Sequence, residues 1–64
     1  MTTYLNLDEI EDCHKEIWYY KWTSGNPYEV LAVSENGYQT IGYTYDLREL
    51  EKIKLPVYHK CPYS

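Results

Sequence analysis

Two short clusters hold the side chains best suited to chemistry: Cys13-His14 near the start and His59-Lys60-Cys61 near the end. Two Cys and two His are enough in number for a tetrahedral zinc site, which would make the chain a structural zinc mini-domain. Their spacing argues against it. Adjacent residues diverge by about 100° on a helix, and His-x-Cys lacks the usual two-residue gap between zinc ligands. A Cys13–Cys61 disulfide would need an oxidising compartment. His14 and His59 are the side chains able to act as bases near neutral pH without large perturbation, yet no nucleophile elbow or phosphate-cradling glycine loop accompanies them. Catalysis needs a nucleophile, a base and an orienting group to converge. The expectation is a non-enzymatic chain without cofactor, with Cys13, His14, His59 and Cys61 as weak metal candidates only.

Charge gives a second lead. The 64 residues carry a net charge of −4, and the imbalance sits in the first sixteen, where Asp8, Glu9, Glu11, Asp12 and Glu16 face Lys15 alone. The remainder balances five acids against five bases. Such a patch keeps a small protein soluble or steers it toward a basic partner. The six bases are dispersed, whereas binding phosphates needs a basic surface, so nucleic acid is not expected as the direct ligand.

These residues need a scaffold, and the strongest local signal is Asn36-Gly37 between the strand-like runs 28–35 and 38–45. Asn-Gly suits a two-residue type I′ turn, in which both central residues take positive φ. A third run, 16–22, joins through Thr23-Ser-Gly-Asn-Pro27, rich in turn formers. The reading is a three-stranded antiparallel meander. With Glu35 opposite Tyr38 and Trp22 opposite Tyr28, one face gathers Trp18, Tyr20, Trp22, Tyr28, Val30, Ala32, Ile41, Tyr43 and Tyr45 as the buried layer. The other carries Ile17, Tyr19, Leu31 and Val33 beside Lys21, Glu29, Thr40 and Thr44, with Gly42 against Leu31.

Helices are predicted on either side of the meander. Leu7, Ile10, Cys13/His14 and Ile17 fall at helical spacing, which predicts a short helix over 8–15. Asp46-Leu-Arg-Glu49 resembles a capping box, and Leu47, Leu50 and Ile53 form a stripe, which predicts a helix over 47–54 that ends before Pro56. Residues 56–64 read as an extended tail in which Val57 and Tyr58 can add an edge strand, since prolines keep it out of a central one. The fold class expected is thus α+β, one domain over 1–64. A chain this short buries about 60% of its unfolded surface, so nine Tyr and two Trp must supply much of the core. The start lacks the basic and apolar regions of a secretory signal, and no run approaches a bilayer span, so a cytoplasmic protein that does not contact membranes is expected.

Function is less legible. In size and acidity the chain resembles the small single-domain inhibitors that bacteriophages make to block host enzymes or defence systems; the likeness carries no motif and no residue roles. It implies a non-enzymatic module that occludes or modulates a larger, basic-surfaced partner, such as a nucleic-acid-handling protein in a host cytoplasm. Asp8, Glu9, Glu11, Asp12 and Glu16 would steer, and Tyr19, Leu31, Tyr38, Tyr58 and Tyr63 would anchor, because tyrosine binds with little loss of conformational freedom. The second reading is a small-ligand or nucleotide binder using an aromatic pocket between sheet and helix.

Overall fold

Three runs of alternating side chains sit at the centre of a five-stranded mixed sheet. The computed structural model describes residues 4–62. Its strands are β1 (Tyr4–Leu5), β2 (His14–Lys21), β3 (Tyr28–Ser34), β4 (Gly37–Thr44) and β5 (Val57–His59), in the order β1-β4-β3-β2-β5. β2, β3 and β4 pair antiparallel as neighbours, β1 adds antiparallel to β4, and β5 adds parallel to β2. The expected three-stranded meander packed by a helix is therefore corrected: among the described residues there is no α-helix, only 3-10 segments at Leu7–Glu9 and Leu47–Lys52. Nor is any helix there long and apolar enough to cross a membrane.

The reason lies in the spacing of the apolar residues. Leu47, Leu50 and Ile53 recur every third position, and a 3-10 helix of three residues per turn stacks such residues on one face. Asp46 caps the segment by accepting from the Arg48 amide at 2.9 Å, and the Ile53 amide closes it on the Leu50 carbonyl at 3.1 Å. The chain then extends to Pro56, whose carbonyl accepts from the Ile17 amide at 2.8 Å. Residues 45–56 thus form a crossover that carries the chain from β4 past β3 and β2 to a parallel edge strand. The predicted helix over 8–15 fails in the same way. Its apolar pair Leu7 and Ile10 is served by one 3-10 turn, a tight turn follows in which the His14 amide donates to the Glu11 carbonyl at 3.0 Å, and β2 begins at His14.

One face of the sheet holds the main core. Ile17, Val30, Ala32 and Ile41 are fully or almost fully buried there with Leu50 of the crossover, and Leu5, Ile10 and Val57 pack around them. Each fully buried Ile or Val contributes about 1.5–3 kcal/mol. This is the opposite face of β2 from the one expected. β2 and β3 pair Lys21 with Tyr28 rather than Trp22 with Tyr28, so Ile17 meets Ala32 and Trp18 meets Leu31. A one-residue slip turns every side chain of a strand over. Trp18 and Ile41 consequently lie on opposite sides of the sheet, and the supposed inward Tyr43 and Tyr45 are exposed.

The β3–β4 hairpin also differs. Ser34 pairs with Gly37, so Glu35 and Asn36 form the loop, and at this turn positive φ falls on Gly37 and not on Asn36, since no described non-glycine residue has it. A bulge at Ile41–Gly42, opposite Val30/Leu31, then sends Ile41 into the core. Gly42, at φ 153°, lies so close to β1 that a Cβ would strike the Tyr4 carbonyl oxygen and come within 2.6 Å of the Leu5 Cα. Its close contact is with β1, not with Leu31.

Candidate partner-binding face

The crossover covers the Ile17 face; the other face is left open among the described residues. Alternation from the observed pairs places Glu16, Trp18 and Tyr20 of β2 there, with Glu29, Leu31 and Val33 of β3 and Tyr38, Thr40 and Tyr43 of β4. Tyr4, opposite Tyr43, and Tyr58, opposite Trp18, extend it to both edges. Trp22 follows Lys21 and turns its indole to the same side. Tyr4, Trp22, Tyr38, Tyr43 and Tyr58 are each between 42% and 62% exposed, whereas Leu31 beneath them is fully buried.

Glu29 organises the middle of this face. One carboxylate oxygen accepts from the Tyr20 hydroxyl at 2.7 Å and the Trp22 indole N–H at 2.9 Å. The other accepts from the Thr40 hydroxyl at 2.6 Å. The group is only 5% exposed, and no ion pair reaches it among the described residues. Burial pushes its carboxyl up, but the hydrogen bonds from Thr40, Tyr20 and Trp22 together pull harder and hold it below the ordinary glutamate value. Three neutral donors therefore take the place of a cation, and they fix two aromatic rings and a β4 hydroxyl around one point. Lys21, expected on the same face as Glu29, lies on the covered side instead, with its Nζ 4.5 Å from the Tyr28 ring centroid.

At the β5 edge, the Trp18 indole donates to Glu16 Oε1 at 2.6 Å, and Lys60 Nζ lies 5.0 Å from the Trp18 ring centroid and 5.7 Å from that of Tyr58. The Lys60 amide donates to the Tyr19 carbonyl at 3.2 Å, which anchors its backbone beside β2.

The predicted anchors divide between the faces. Leu31, Tyr38 and Tyr58 share the open one. Tyr19 lies on the covered side, half-buried, edge-on to Tyr28 at 5.5 Å and stacked on His59 at 4.9 Å. Tyr63 lies outside the described residues. The acidic residues do not form one patch either. Asp8, Glu11 and Asp12 are exposed, while Glu9 accepts from Asn6 at 3.0 Å and Gln39 at 2.8 Å and Glu16 is held by Trp18. Glu11 and Asp12 share a cleft of about 460 Å³ with Lys52 and Lys54, so bases stand beside part of the acidic run.

The Cys and His residues are scattered. Cys13 and Cys61 are exposed thiols, His14 is buried and accepts the Glu11 amide on Nδ1 at 2.9 Å, and His59 stacks on Tyr19. No metal-binding group of three or more His, Cys, Asp or Glu exists among the described residues. The sequence reading missed Tyr4, Trp18, Trp22, Tyr43 and Lys60 as members of the open face, and gave Glu29, which it set beside Leu31, no role there. One signal pointed there: an acid in the middle of an apolar strand, with Tyr, Trp and Thr donors within reach on both neighbours.

No family model matches the chain, and neither does any curated protein or solved structure.

Proposed function

We propose that this chain is a non-enzymatic binding protein that docks a larger protein through the open aromatic face and thereby occludes or modulates it. One observation carries the reading: large exposed aromatic rings are collected on the single sheet face that the crossover leaves bare. Contiguous exposed apolar surface on a small protein marks an interaction site, and Tyr and Trp are the side chains that dominate interface energies. The Glu29 network supports it further, because rings held in place before contact lose less freedom on binding. Asp8, Glu11 and Asp12 are exposed, Glu11 and Asp12 beside the crossover, and steer the approach toward a basic partner surface through their long-range field.

The test is a double variant, Trp22→Ser with Tyr43→Ser, compared with the native protein by quantitative affinity capture. The reading expects a partner retained by the native protein and reduced at least about thirtyfold for the variant, the loss of a hot-spot residue, with the far-ultraviolet spectrum unchanged. Equal capture by both proteins would refute it.

A further inference from the structure

Lys60 sits over two rings that any other cation could use. Its ammonium lies 5.0 Å from the Trp18 centroid and 5.7 Å from the Tyr58 centroid, inside the range of about 6 Å over which a ring face attracts a cation. The Glu16 carboxylate, bonded to the edge of the same indole, adds negative charge to the open face. Tyr58 and Lys60 are exposed and Trp18 is partly so, so the rings can be reached from solvent. Lys60 follows an edge strand of three residues, and no ion pair ties its ammonium down among the described residues. Among the described residues its ammonium is held by the two rings.

We infer that the Trp18–Tyr58 pair is a subsite for a basic side chain of the partner protein, Lys or Arg, and that Lys60 is its displaceable internal occupant. The inference rests on the proposed docking role of this face and supplies the chemistry of one contact. The net charge of −4 favours the approach of such a side chain. An occupying lysine also covers the two rings until a competing cation arrives.

The experiment titrates the native protein with acetyl-Gly-Lys-Gly-amide, acetyl-Gly-Arg-Gly-amide and the uncharged norleucine analogue, following the Trp18 indole N–H resonance. The Lys and Arg peptides are expected to bind at millimolar concentration and the norleucine peptide not to bind. Lys60→Ala is expected to tighten the cationic peptides about two- to fivefold, the worth of one exposed cation–π contact. In Trp18→Leu with Tyr58→Leu, followed instead from the peptide's own side-chain methylene resonances, binding should be lost, and Trp18→Tyr with Tyr58 intact should keep part of it. Unchanged or weaker binding by Lys60→Ala, or equal binding of the norleucine peptide, would overturn the inference. Should the peptides fail while Trp22→Ser with Tyr43→Ser still loses the partner, the docking role stands and the cation subsite falls.

Discussion

Glu29 is the residue on which the open face turns. Because its folded-state carboxyl titrates below the ordinary value, the native state favours the ionised form. That contribution is fully present above the unfolded pKa and is lost as acid protonates the folded group. Stability measured by urea unfolding should therefore fall in the native protein as the pH drops through and below the ordinary glutamate range. Glu29→Gln exchanges charge-assisted bonds for neutral ones and should cost about 1–2 kcal/mol at neutral pH. The gap between the two proteins should close as acid protonates the native carboxyl, at a pH below the ordinary glutamate range. A Gln variant as stable as the native protein at pH 7 would show that the three donors need no charge.

The crossover and the β1–β4 contact make their predictions at the scale of elements. Leu50→Ala removes the fully packed side chain of the 3-10 segment from the core and should cost about 2–5 kcal/mol in chemical unfolding. Gly42→Ala should be comparably harmful, but selectively. A methyl there meets the Tyr4 carbonyl oxygen and the Leu5 Cα, so β1 must leave β4. Hydrogen exchange should then accelerate at Asn6, whose amide donates to the Ile41 carbonyl at 2.9 Å, while the β2–β3 amides stay protected. Uniform acceleration would mean that β1 is integral to the whole sheet. These elements also show what the sequence could convey. The three long strands and both hairpins were legible to within a residue or two, since their alternation and turn residues are local. The side of β2 that is buried was not, because Ile17 and Tyr19 on one face compete with Trp18, Tyr20 and Trp22 on the other, and alternation is silent when both faces are apolar. Pairing of β5 with β2 joins residues some forty positions apart and leaves no local mark. Leu47, Leu50 and Ile53 fit both a 3.6 and a 3.0 period, and three-residue spacing went to the 3-10 form.

For the whole molecule, a slab with principal extents of 31 × 26 × 15 Å is one sheet thick, with a crossover on one broad side. The open broad side approaches the area of about 800 Å² per partner that a specific protein interface uses. Neutralising Asp8, Glu11 and Asp12 to Asn or Gln should slow association several-fold at low salt and flatten its salt dependence, with little change in the dissociation rate. If the association rate kept its salt dependence, steering would belong to other charges.

The central claim is that the tryptophans and the isoleucine core lie on opposite sides of the sheet. A nuclear Overhauser spectrum of the labelled protein tests it directly. Cross-peaks are expected among the methyl groups of Ile41, Ile17, Val30 and Leu50, with the Trp18 indole contacting Leu31, Tyr58 and the Lys60 methylenes. Cross-peaks between the Trp18 indole and the Ile41 methyls would contradict it, because they require the other register and bury the face proposed to bind.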